Sequence, residues 1–138
     1  MQEPLTVGKL YHENRKVFKL KRYNETVGFN RVVTSSRLNR PGLELTGFWK
    51  YFDKSRIQII GRKEKMYFRT LPDDERQKVL KKLSASGTPA IIFAHGARPP
   101  EFSLEIAREN NIALFSTPML TSNLVGRLMD YLDWNLAP

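Results

Sequence analysis

The chain has 138 residues, no cysteine and a formal net charge of +9, which excludes disulfides, thiol nucleophiles and cysteine-ligated metals. Hydrophobic residues make up 41% and charged residues 27%, the ordinary balance of a globular domain, so residues 1–138 read as one domain whose core needs no covalent staple. No apolar run approaches the roughly 20 residues of a membrane helix, and the polar start MQEPLTVGKL is expected not to be a secretory signal.

Residues 5–14 predict a short first helix that stops at Asn14. Val17–Lys21 alternates weakly, which predicts a half-buried strand with Lys19 and Lys21 on one face. Asn24–Gly28 predicts a turn. Arg31–Thr34 is β-branched and short, hence a second strand, and Ser35–Arg40 is a polar loop leading into Pro41-Gly42. A short helix is expected from Pro41, since a first turn tolerates proline, and Gly47 interrupts it. Phe48, Trp49, Tyr51 and Phe52 follow. They are either a base-stacking platform or core, and core is the ordinary expectation because each ring hides a large apolar area.

Arg56–Gly61 predicts a strand that ends in glycine, and Arg62-Lys63-Glu64 opens a helix. Helix starts favour anions, so Arg62 and Lys63 have the wrong sign unless something negative sits nearby. Glu64 offsets them in part, and an exposed basic corner is the plain alternative. Pro72–Glu75 opens the next helix, Val79, Leu80 and Leu83 mark its buried face, and Gly87 ends it. Pro89–Ala94 is a continuous apolar strand of the kind that parallel sheets bury on both faces. A helix from Pro99-Pro100-Glu101 closes at Asn110-Asn111, and Ile112–Phe115 is another buried strand. Thr121 or Ser122 is expected to cap a last helix, with Leu124, Val125, Leu128, Tyr131 and Leu132 as its apolar stripe. This β–α–β–α order predicts an α/β fold with a central, mostly parallel sheet flanked by helices.

The charge lies at one end of the chain. Residues 1–71 hold 16 Lys/Arg and 6 Asp/Glu, whereas residues 72–138 hold 7 and 8. One reading is an anionic partner: nucleic acid, phosphate or an acidic protein. The other is a solvated surface balanced by a further domain or subunit, because net charge bears on partners and solubility rather than on fold.

Motifs for catalysis are not found. His12 and His95 are far apart, and no carboxylate pair or third histidine stands at metal-ligand spacing. No G-x-S-x-G elbow occurs. Gly42 and Gly47 have the glycine spacing of a phosphate-binding P-loop, but Phe48 and Trp49 stand where lysine and a hydroxyl residue are required. No residue is therefore assigned as catalytic, cofactor-binding or metal-ligating. The C-terminal ends of α/β strands are where such folds place ligands. That makes Arg62, Lys63, His95 and Arg98 the candidate anion-binding residues.

RPGLELTGF (40–48), RIQIIG (56–61) and Glu64 resemble the N-terminal domain of HPr kinase/phosphorylase, the HPr(Ser) kinase/phosphatase family. That bacterial enzyme phosphorylates and dephosphorylates a serine on the phosphocarrier protein HPr. The resemblance extends to Ser35–Arg40, to PAIIFA (89–94), to Thr117–Leu124 with the helix TSNLVGRLMDYL, and to the terminal LAP. It implies a cytoplasmic, two-domain, hexameric enzyme in bacterial carbon-metabolism regulation, and a fold like that of the N-terminal domain of Mur ligases. In the family the C-terminal domain carries the P-loop, the magnesium ligands, the catalytic aspartate and the HPr-docking surface, and acts with ATP or pyrophosphate. None of those residues has a counterpart here. The chain is thus expected to be a non-catalytic, regulatory or assembly domain, inactive alone and without a cofactor of its own, ATP and Mg2+ belonging to the catalytic domain. Its implied partners are its own kinase domain, further copies of itself and, through the full-length enzyme, HPr, with neither membrane nor nucleic acid. The alternative is a stand-alone basic module that binds nucleic acid or a small phosphorylated ligand.

Overall fold

A computed structural model describes residues 3–138; Met1 and Gln2, part of the polar start, lie outside the described residues. The elements in chain order are α1 (Val7–Asn14), β1 (Lys21–Arg22), β2 (Leu38–Asn39), α2 (Gly42–Leu45), β3 (Ile57–Ile60) and α3 (Arg62–Thr70). Then come α4 (Asp73–Ala85), β4 (Ala90–Phe93), α5 (Ser103–Glu109), β5 (Ala113–Ser116) and α6 (Thr121–Leu136). The five strands form one sheet in the order β1-β5-β4-β3-β2. β2 to β5 are parallel neighbours, and β1 closes one edge antiparallel to β5. The fold is α/β, with a mostly parallel sheet flanked by helices, as the element order predicts.

β3, β4 and β5 are buried at every position, which explains their unbroken apolar runs. Alternate residues serve opposite layers. Ile57, Ile59, Ala90, Ile92, Ala113 and Phe115 pack with Leu10 and Tyr11 of α1 and with Leu124, Leu128 and Leu132 of α6. Those three leucines, four residues apart, are fully buried, so α6 presents one continuous stripe to the sheet. Ile60, Ile91, Phe93 and Leu114 face the other way, toward Leu83 of α4 and Ala107 of α5. Phe68, Leu80 and Ile106 join α3, α4 and α5 beyond them.

The first forty residues differ from expectation. Residues 17–21 are not a strand over their length. The chain turns after α1, with Phe18 N–H donating to the Asn14 carbonyl, Leu20 N–H to that of Arg15, and Lys19 at φ +50°. Phe18 and Leu20 are buried while Lys19 and Lys21 are exposed, so a turn reproduces the alternation of a strand. Arg31–Thr34 makes only an isolated bridge, Val32 to Thr6. Instead, residues 23–31 lash the N-terminal part to the edge of β5. The Asn24 amide donates to the Ile112 carbonyl at 2.9 Å, Gly28 N–H to Asn111 Oδ1 at 3.0 Å, and the Arg31 guanidinium to the carbonyls of Asn110 and Asn111. The polar loop before Pro41 contains the outer strand β2, since Leu38 and Asn39 pair with Ile57 and Gln58.

The aromatic cluster divides. Trp49 and Phe52 are in contact, 5.0 Å between ring centroids, and pack against the second core layer with Lys82 over the indole. Phe48 and Tyr51 are not core: their neighbours in the chain take the inward places, and Tyr51 is 77% exposed. Trp134, on the last turn of α6, is also exposed.

Candidate functional site

Three connections converge at the C-terminal end of β3. Gly61 follows the strand directly, and a Cβ there would lie 2.5 Å from Thr121 Oγ1 and 3.0 Å from Arg40 Nη2. The missing side chain is what lets Arg40, just after β2, and Thr121, the first residue of α6, close over the strand end. Thr121 does not cap α6, contrary to expectation. The N-cap is Leu120 without a side-chain bond, and the Thr117 hydroxyl organises the preceding turn by accepting from Met119 N–H at 3.1 Å.

Glu64 holds the start of α3. Its carboxylate accepts from Gly61 N–H at 2.7 Å and from Arg40 Nη2, which lies 3.0 Å from both oxygens. Glu64 is buried, and these donors supply the hydrogen bonds that a buried carboxylate requires. This satisfies the Gly61 N–H and leaves Arg62 and Lys63 exposed on the outer side of the helix start.

β4 delivers His95 to the same edge. Its backbone is left-handed, φ +58°, and Gly96 continues so at +78°. A non-glycine residue pays about 1–2 kcal/mol for this. The turn is pinned to the next connection, with His95 N–H donating to Met119 O at 2.8 Å and Gly96 N–H to Thr117 O at 3.3 Å.

Arg40, Arg62, Lys63 and His95 line a cleft of about 300 Å³, closed on the far side by Leu120, Thr121 and Ser122. A second hollow of about 370 Å³ continues from it, sharing Arg62 and His95 and running along Lys65, Met66 and Arg69. Three of the four residues predicted for an anion therefore meet. The fourth, Arg98, lines a separate hollow with Lys19, Lys21 and Tyr23, and only its carbonyl is shared, accepting Lys65 Nζ at 2.8 Å.

The electrostatics are one-sided. Among the described residues the ion pairs are Arg40–Glu64, Arg56–Asp53 and Arg76–Asp73, so Arg62, Lys63, Lys65 and Arg69 have no carboxylate within pairing distance. Lys65 is half-buried beside the rings of Phe68 and Phe93. Burial, and after it the charges of Arg69 and Arg76, push its ammonium below the ordinary lysine range. Like charges one helical turn apart destabilise a helix by about 0.2–0.5 kcal/mol per pair. The arrangement gathers positive charge at one edge of the sheet. Among the described residues no cluster of His, Asp and Glu is grouped as metal ligands are, and no helix is long and apolar enough to cross a membrane.

The family described as HPr Serine kinase N terminus matches residues 5–132. Among similar proteins is an HPr kinase/phosphorylase of Enterococcus faecalis, 37% identical over 115 residues, 83% of this chain and 37% of the relative. Proteins of the same name from Bacillus licheniformis and Streptococcus pneumoniae are 36% and 41% identical, over 88% and 83% of this chain and 39% and 37% of theirs. The chain thus spans less than half the length of these relatives. Among solved structures, the CBS and DRTGG domains of the regulatory region of Clostridium perfringens pyrophosphatase, complexed with its activator diadenosine tetraphosphate, share the fold. The TM-score is 0.60 at 17% identity, covering 86% of this chain and 44% of that one.

Proposed function

We propose that this chain, which belongs to the HPr serine kinase N-terminal family, serves as the non-catalytic domain that regulates or assembles a bifunctional HPr kinase/phosphorylase. Phosphorylation of a serine on HPr with ATP or pyrophosphate, and its reversal, then fall to the remaining length of the longer protein, which also holds ATP and Mg2+. In this reading residues 1–138 are one domain, its partners are the kinase domain and further copies of the full-length enzyme, and HPr is met through that enzyme in the cytoplasm. The observation that carries it is the match itself: most of this chain aligns, at 36–41% identity, with little more than a third of each relative. The comparisons do not favour a stand-alone nucleic-acid module. Incubated alone with HPr and either ATP or pyrophosphate, the 138 residues are expected to leave HPr unmodified. Phosphoserine formed under those conditions would overturn the assignment.

The convergence of Arg62, Lys63 and His95 favours a second, compatible reading, in which the cleft is an anion site through which the domain senses a phosphorylated ligand. Calorimetric titration with orthophosphate at low salt is expected to give heat that Arg62→Glu abolishes. Unchanged binding in that variant would place the site elsewhere.

A further inference from the structure

The hollow along α3 extends the cleft in one direction and with one sign of charge. Arg62, Lys65 and Arg69 follow one another at i, i+3 and i+7, so they form a single stripe, and all three line the hollow with Met66 and the turn His95–Ala97. Seven residues of helix separate the ends of the stripe by about 10 Å. A single orthophosphate is shorter than that spacing, and a longer anion meets more of the cations without drawing their side chains together.

We propose that this stripe binds a linear chain of three or more phosphates, free or carried by a nucleoside, laid from the cleft along α3 toward Arg69. The proposal rests on the cleft being an anion site and adds the ligand's length and valence. Successive phosphates match successive cations, and the half-buried Lys65 gains the counter-charge that it lacks.

The test is calorimetric titration of the whole chain with orthophosphate, tripolyphosphate and magnesium-free ATP at low and at moderate salt. Tripolyphosphate is expected to bind at least about tenfold more tightly than orthophosphate, the gain of one or two further charge-assisted hydrogen bonds. Arg69→Ala, at an exposed position, is expected to remove about tenfold of that affinity and to leave orthophosphate unchanged. Lys50→Ala, in the loop before β3 and lining neither hollow, is expected to change neither. Equal affinity for ATP and tripolyphosphate supports recognition of the phosphate chain alone, and tighter ATP supports a nucleoside-borne chain. Heat from orthophosphate that Arg62→Glu removes, with no preference for tripolyphosphate, would sink this proposal and leave the anion site standing. An Arg69→Ala variant without effect, or a Lys50→Ala variant as damaging, would also overturn it. No heat from any of the anions would overturn both.

Discussion

Gly28→Ala is expected to destabilise the protein by about 3–5 kcal/mol and to lower its Tm by 10 °C or more. Gly28 has φ +78°, where an L side chain is strained. A Cβ there would stand 2.4 Å from Ala113 N and 2.8 Å from the Ile112 carbonyl carbon. Both are backbone atoms of the edge of β5, and no rotamer change relieves the overlap. The turn must back away, and it then loses the Gly28–Asn111 bond and strains those of Asn24 and Arg31, each worth about 0.5–1.5 kcal/mol. Gly126→Ala is the matched control. It lies within α6 with nothing within 4 Å of the added carbon, so it should stabilise by about 0.5–1 kcal/mol. If Gly28→Ala melts within two degrees, approximately, of the parent, the close approach does not govern stability there.

Glu64→Ala is expected to destabilise by about 2–4 kcal/mol. It orphans the buried Gly61 N–H, removes the carboxylate from the first turn of α3, and frees the Arg40 guanidinium. Glu64→Gln keeps an acceptor for Gly61 and should lose about half as much. Urea midpoints of Glu64→Ala, Arg40→Ala and the double variant close a cycle, and the coupling should be about 1 kcal/mol or more, as for residues in one network. Strict additivity would show that Arg40 and Glu64 do not act as a unit. Freed from Glu64, Arg40 adds a cation to the cleft, so the same Glu64→Ala protein should bind orthophosphate more tightly despite its lower stability.

Where sequence and structure agree, the cause is burial. β3, β4, β5 and α6 follow from Ile57–Ile60, Ala90–Phe93, Ala113–Phe115 and the Leu124–Leu128–Leu132 stripe, because strands covered on two faces and helices covered on one leave different apolar periods. β1 and β2 have two residues each, and Lys21-Arg22 and Leu38-Asn39 leave no such trace. They are held by backbone pairing to partners far away in the chain. Phe18 and Leu20 mislead for a related reason: a turn with a left-handed residue between two buried ones imitates a strand's alternation. In the cleft, Arg62, Lys63 and His95 are legible because each follows an obvious strand. Arg40 and Thr121 become part of it only because Gly61 has no side chain to hold them off the strand end. The stripe of Lys65 and Arg69 was readable at helical spacing, yet only the hollow beside it gives it meaning.

The pairing of β1 with β5, and the lashing of residues 23–31 beside it, also set a timetable for the newborn chain. Lys21 and its partner Ser116 are 95 residues apart in the chain. At synthesis rates of about 5–20 residues per second, the interval is roughly 5–20 s. For that time Leu10, Tyr11, Phe18 and Leu20, all buried in the finished protein, have been made but have neither β5 nor α6 to cover them. Until then the N-terminal quarter leaves apolar surface uncovered, the condition in which incomplete chains are prone to aggregate, and docking it closes the fold.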